Sequence, residues 1–128
     1  MSTATVTTAA QAVRALEAQF ERLANANDAA GITSTFYADN ARLLPPNAPM
    51  VEGHAAILDF WKAFLAAGQS DVRLETADVI ASGDLAYSIG NYGHTTGGVR
   101  HTGKYVVVYQ RQADGGYKAV ADSFNSNE

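Results

Sequence analysis

DGGYKAVADSFNSN, residues 114–127, is the stretch on which the fold turns. Asp114-Gly115 has the composition of a two-residue type I′ hairpin turn, where positive φ is needed at both central positions. The residues after it are largely apolar and read as a strand, yet Asp122 stands in their middle. The turn sets a register with the preceding strand, HTGKYVVVYQRQ (101–112). Ala113 falls opposite Gly116, Tyr109 opposite Val120, Val107 opposite Asp122, and Tyr105 opposite Phe124. Strand residues alternate between faces, so the last three pairs share one face. The other face takes Val106, Val108, Ala119, Ala121 and Ser123. Asp122 is then the one carboxyl among three aromatics and two valines. Under a cover of helices it is desolvated, and a fully buried, unpaired carboxyl is raised by as much as roughly 3–5 pH units. Tyr105 and Tyr109 are placed to donate hydrogen bonds to it and draw it back. The competing reading is a solvated strand end, since Lys118 shares the face and a bulge reverses the assignment.

Upstream, VRLETADVIAS (72–82) and LAYSIGNYGHT (85–95) are also rich in β-branched and aromatic residues. SGD, TTGG and ADGG separate the four segments. Before Gly68 the periodicity changes. Val13, Leu16, Phe20 and Leu23 recur at helical spacing from about residue 9, and Asp28 is an N-cap for a short second helix with Ile32 and Phe36. LLPPNAPM (43–50) holds all three prolines and reads as a strap with at most a few extended residues. A third helix follows Gly53, with Ile57, Phe60, Trp61, Phe64 and Leu65 as its apolar stripe and Gly68 as its stop. Helices first and an antiparallel meander after make an α+β domain, with the helices on one face of a sheet.

At 128 residues the chain fits a single domain, with residues 1–8 as a flexible tail. Nine Lys and Arg against thirteen Asp and Glu, scattered and giving a net charge of −4, exclude nucleic acid as a partner. The absence of cysteine excludes disulfides, a thiol nucleophile and Cys-ligated metal. MSTATVTTAA lacks the charged start and apolar run of a signal peptide, and no stretch approaches the roughly 20 apolar residues of a membrane span. The expectation is a cytoplasmic protein with no membrane partner.

The order of Asp28, FYADNA (36–41), the proline strap, VEGHAAI (51–57), GDLAY (83–87) and DGGYKAVADSFN (114–125) resembles the NTF2-like superfamily over about residues 10–127. The likeness is nearest to its SnoaL-like and DUF4440 group and the ketosteroid-isomerase-like relatives. It implies an NTF2-like, cystatin-like cone: three N-terminal helices packed on a curved antiparallel sheet around an apolar pocket. It also implies a homodimer through the outer face of the sheet. The isomerase's catalytic groups do not carry over. Its general base falls at Leu44 or Pro45, its oxyanion-hole tyrosine at Phe20, and the acid partner at Val107. Asp122 aligns with a last-strand position from which some cyclase-type relatives supply an acid or base. An aspartate there is also typical of the DUF4440 group as a structural feature.

The resemblance also puts Leu85, Tyr87, Ile89 and Asn91 on the cavity side, making Tyr87 and Asn91 polar groups that orient a ligand. A two-residue turn at Gly97-Gly98 conflicts with this, because it pairs His94 with His101 and Tyr87 with Val108, off the face of Val107. An odd-length loop or a bulge reconciles the two and separates the histidines. No third ligand accompanies them, so no metal is expected. His54 is left to local packing.

Two functions fit these residues. In one, Asp122 exchanges a proton with a small apolar ligand in a cofactor-free reaction of isomerase, cyclase or lyase type, aided by Tyr87 and Asn91. Phe20, Tyr37, Trp61, Phe64, Tyr105, Val107, Val120 and Phe124 would line that site. In the other, the same fold is a non-catalytic ligand-binding or dimeric assembly module.

Overall fold

The computed structural model describes residues 8–128. Three helices come first or nearly so: α1 (Ala9–Asn25), α2 (Ala29–Phe36) and α3 (Gly53–Ala66). Between α2 and α3 lie β1 (Tyr37–Leu44) and β2 (Val51–Glu52), and four long strands follow. These are β3 (Gln69–Ser82), β4 (Leu85–Thr96), β5 (Val99–Arg111) and β6 (Tyr117–Ser126). Among the described residues no helix is long and apolar enough to cross a membrane.

Local chemistry fixes the helix ends. Thr8 caps α1 reciprocally: its hydroxyl accepts from the Gln11 amide, and the Gln11 side chain accepts from the Thr8 amide. The flexible tail expected over residues 1–8 therefore loses Thr8 to the helix, and its residues 1–7 lie outside the described residues. Asp28 caps α2 through the Gly31 amide at 2.9 Å. Gly68 follows α3 with φ of +88°, the left-handed conformation that ends a helix and suits glycine.

The six strands form one sheet in the order β2-β1-β6-β5-β4-β3. The antiparallel meander expected after Gly68 is present as β3–β6. The sheet as a whole is corrected from antiparallel to mixed, because β1 joins β6 in parallel. Parallel neighbours need a long crossover, which the whole β3–β5 meander supplies. Bulges in β1, β3 and β6 bend the sheet, and α1 packs across β3 while α3 packs across β1. The core lies between the helices and the concave face.

Two hairpins decide which residues reach that core. Gly97-Gly98, both at positive φ, close a two-residue turn, and β4 pairs with β5 without interruption from Thr96–Val99 to Leu85–Gln110. No bulge or odd loop intervenes. His94 stays opposite His101, and Tyr87 stays opposite Val108 on the outer face.

The β5–β6 hairpin departs from a two-residue turn. Its loop is Gln112 to Gly116, closed by the Gln112 amide on the Gly116 carbonyl, with the Asp114 carboxylate accepting from the Gly116 amide. Arg111 pairs with Tyr117, one residue away from the expected register. A bulge at Val120, between the pairs Tyr109–Ala119 and Val108–Ala121, then restores Val107–Asp122 and Tyr105–Phe124. Two departures cancel at Asp122 but not before it. Ala119 turns inward and is 0% exposed, while Val120 loses the inward place expected for it.

Gly90, opposite Tyr105, is a close-approach glycine. A Cβ there would overlap both the Tyr105 hydroxyl and the Glu75 carbonyl oxygen. The Tyr105 ring lies over Gly90 to reach α1. Gly90→Ala is therefore expected to lower stability by about 1–3 kcal/mol, as overpacking does. Urea denaturation measures it, and a change within about 0.5 kcal/mol would mean that the ring does not need this space.

Candidate functional site

On α1, the fully or nearly buried positions are Val13, Glu17, Phe20 and Ala24. Their spacing of 4, 3 and 4 is one helical stripe, so Glu17 is a carboxylate on the apolar face. It is 2% exposed. Four hydroxyls converge on it: Thr76 and Tyr105 donate to Oε1, and Ser88 and Tyr109 to Oε2, all at 2.5 to 2.6 Å. Ionised carboxylate is acceptor-only and can take about four such bonds, so this set calls for the anion. The bonds join α1 to β3, β4 and β5. Burial and the adjacent Glu17 charge raise both tyrosines well above their ordinary range, which keeps them as donors. Sequence reasoning assigned Tyr105 and Tyr109 to Asp122. The structure gives them to Glu17, which that reasoning passed over.

Asp122 sits in the row Ser88–Val107–Asp122 and is 6% exposed. Among the described residues only Tyr37 donates to it, Oη to Oδ2 at 2.6 Å, and Trp61 Nε1 donates in turn to the Tyr37 hydroxyl at 3.2 Å. Oδ1 has no protein hydrogen bond among the described residues. It is not sealed off either, since the only fully buried unpartnered side-chain atom there is His94 Nδ1. Burial pushes the Asp122 carboxyl up to about 7, the Tyr37 bond pulls it down, and the Glu17 charge pushes it up again. Tyr37, fully buried against that carboxyl, is held well above its own ordinary range.

Both carboxyls border one cavity of about 70 Å³. Phe20, Phe36, Trp61, Phe64, Val72, Leu74, Tyr92, Gly93, His94, Tyr105, Val107 and Phe124 complete its wall. Its deep end holds the buried Glu17, Trp61, Val107 and Asp122. Phe64, Leu74, Tyr92, His94 and Phe124 are partly exposed and form the mouth. His94 lies six residues along β4 from the Asp122 row, roughly 20 Å at the strand rise. Its ring stacks on Tyr92 and His101 and meets Phe64 edge-on. Burial first, then the charges of His101 and Arg100, lower its basicity and favour neutral imidazole.

Of the residues expected to line a site, Phe20, Trp61, Phe64, Tyr105, Val107 and Phe124 border the cavity. Tyr37 stands behind Asp122, and Val120 lies in the bulge away from the cavity wall. Tyr87 and Asn91 are corrected: both are on the outer face, Tyr87 at 39% exposure, because the Gly97-Gly98 turn keeps Ala86, Ser88, Gly90 and Tyr92 inward. His54 bonds the Tyr37 carbonyl through Nε2 at 2.8 Å, fixing α3 to the start of β1.

A family model described as a SnoaL-like domain matches residues 16–120. No curated protein matches the chain significantly. Similar solved structures include an NTF2-like protein with a cystatin-like fold from Novosphingobium aromaticivorans. It is 19% identical, with 93% of this chain and 82% of that one covered and a TM-score of 0.80. A ketosteroid isomerase-like protein from Erwinia carotovora atroseptica is 17% identical, with 91% and 95% covered and a TM-score of 0.80. A protein from the NTF2-like family of Streptomyces avermitilis, provisionally named a dehydratase, is 15% identical, with 91% and 95% covered and a TM-score of 0.77. At these identities the likeness is one of fold.

The raised Asp122 carboxyl has a thermodynamic signature. The native state holds this proton more tightly than the unfolded chain, so stability falls as pH rises from about 4 to about 7 and is level above. The gap from 3.8 to about 7, at about 1.36 kcal/mol per pH unit, caps the effect at roughly 4 kcal/mol. Asp122→Asn removes it. The variant's stability relative to the wild type is expected to improve by a few kcal/mol between about pH 4 and about pH 8, measured by urea denaturation. A difference that stays level with pH would show that Asp122 ionises as easily folded as unfolded.

Proposed function

The chain belongs to the SnoaL-like family, and we propose that its cavity is a cofactor-free acid/base site for a small, largely apolar metabolite, with Asp122 as the exchanging group. The observation that carries this is the asymmetry of the two carboxyls. Glu17 is saturated by four donors and has no lone pair to spare. Asp122 borders the cavity with one donor among the described residues, an oxygen that is not sealed off, and a carboxyl that changes state near neutral pH. Neighbouring carboxyls whose surroundings push their behaviour apart are the usual arrangement for acid/base work. In the family resemblance Leu44 or Pro45, Phe20 and Val107 fall at the three ketosteroid isomerase positions, so the proposed reaction does not follow that enzyme's constellation. The neighbour provisionally named a dehydratase supports chemistry of lyase type on this fold.

A cavity of about 70 Å³ favours a second reading, in which the pocket only binds or is filled. Ligand pockets commonly run to roughly 300–1,000 Å³. An acid/base reaction here must involve a molecule of few heavy atoms, or one whose body extends through the mouth past Phe64 and His94.

The test is proton exchange. Small enolisable carbonyl compounds, hydroxyacetone and aminoacetone among them, are incubated in D₂O and followed by proton NMR. Wild-type protein is expected to accelerate exchange at one carbon, with Asp122→Asn slower by about 10²-fold or more. Acceleration that survives the substitution, or none above buffer, contradicts the catalytic reading and leaves the binding one.

We further propose that the outer sheet face pairs with a second copy. Ile80, Tyr87, Ile89 and Val106 form an exposed apolar block across β3, β4 and β5. Acidic Glu75 and Asp78 flank it on β3, and Lys104 on β5. A two-fold pairing can set the acids of one copy against the lysine of the other, the self-complementarity an isologous interface requires. Light scattering after size exclusion should give twice the chain mass for wild type and the single mass for Ile89→Lys. A wild-type monomer at about 0.1 mM would contradict it.

A further inference from the structure

The cavity's charge pattern narrows what it can hold. Its two carboxyls are Glu17 and Asp122, and among the described residues no Lys or Arg borders it. Its one histidine is driven toward the neutral form. Glu17 stands at the deep end, its carboxylate oxygens accepting from four hydroxyls. At the deep end, among the described residues, Asp122 Oδ1 has no protein hydrogen-bond partner, and it is an acceptor when ionised; at the mouth His94 Nδ1 is also unpartnered.

Around that atom the wall is aromatic. Trp61 and Phe124 stack at 6.2 Å with 23° between their planes, Phe20 meets Trp61 edge-on, and Tyr92 meets Phe124 edge-on. Ring faces carry negative electrostatic potential and attract cations, tryptophan most of all. A carboxylate or phosphate ligand would meet like charge at low dielectric with no counter-ion. A neutral alcohol would satisfy Oδ1 but gain nothing from Glu17 or the rings.

We propose that the ligand of this cavity is a small amine, bound as its ammonium ion, with nitrogen on Asp122 Oδ1 and a short alkyl body among Trp61, Phe64 and Phe124. This names a ligand class for the acid/base site above and rests on that reading. Ammonium pairing and proton exchange at a carbon beside a carbonyl would both engage the Asp122 carboxyl, so both statements concern one side chain. With a volume of about 70 Å³ the cavity limits the buried part to a few heavy atoms.

The groups facing Asp122 are Glu17 from α1, Tyr37 from β1, and Tyr105 and Tyr109 from β5. The three tyrosines stay protonated through neutral pH. His94 from β4 borders the mouth and is driven toward the neutral form, so ammonium binding should follow chiefly the ionisation of Asp122. Affinity is expected to rise by about 30-fold between about pH 5.5 and about pH 8 for a carboxyl titrating near 7.

The experiment uses three probes of one shape: isobutylamine, isobutanol and isobutyrate. Each is titrated into the intact protein, with the Trp61 indole N–H followed by NMR. The expected order is amine over alcohol by at least tenfold at about pH 8, isobutyrate weakest, and the amine's preference lost on lowering the pH or in Asp122→Asn. That variant's folding is checked by its backbone spectrum. Phe124→Leu, which keeps the carboxyl and removes a ring, should weaken both the amine and the alcohol, the amine more, because only the ammonium gains from the ring face. Alcohol binding as tight as amine, tighter isobutyrate, or no binding of any probe overturns the proposal. The proton-exchange assay separates the failures: exchange of a neutral ketone that still needs Asp122 means only the ligand class is wrong.

Discussion

The interior is organised by one buried carboxylate. Glu17 enters the apolar face of α1 and is made tolerable by four hydroxyls from three strands, each bond short and charge-assisted. Without partners, a charge at that depth would cost several kcal/mol. With them, it fixes the helix over the sheet at one height and one rotation. Tyr105 must lie flat across a glycine to join the set, and Ser88 must face inward, which in turn commits β4 to its observed facing. The space left between this cluster and α3 is the cavity, and Asp122 stands at its edge beside the Tyr37–Trp61 pair.

The contrast between the two carboxyls follows from donor count. Both are almost completely buried, yet one gathers four hydroxyl protons and the other a single one. Burial alone disfavours the charged form, and hydrogen bonds to the charged form restore it. Asp122 is left where protonated and ionised forms are comparable at neutral pH, with its side chain bordering the cavity. A fold that only needed a filled core would gain by replacing this carboxyl with an apolar side chain of similar size. Its presence beside an aromatic-walled void is the ground for proposing a ligand site.

Much of this was legible in the residues themselves. Helical periodicity, the Asp28 cap, the Gly68 stop and the spacing of the strand segments lead to three helices and a sheet, and the ordered set of short motifs leads to the family. What stayed hidden was non-local. YADNARLL (37–44) has weak alternation and runs into prolines, so nothing nearby announces a strand whose partner lies some eighty residues later. The β5–β6 loop and the Val120 bulge are each one residue out of simple register and offset one another, so Asp122 was placed on the inner face by pairings that are wrong nearer the turn. Tyr87 and Asn91 show the reverse. The Gly97-Gly98 turn already implied their outward facing, and the family likeness pulled against it. Glu17 had a visible signal, the 13-17-20-24 stripe, but a glutamate on a helix reads as solvated until its hydroxyl partners are known to converge from distant strands.

The account depends on the Asp122 carboxyl holding its proton to near neutrality inside the folded chain. The direct measurement is a carbon-13 NMR titration of the aspartate carboxyls in intact protein, with Asp122→Asn to assign the signal. One resonance is expected to pass its midpoint at about 7 and to be missing from the variant. If every aspartate carboxyl has ionised by about pH 5, in the ordinary range for this side chain, Asp122 is no acid/base group at neutral pH and the functional reading fails.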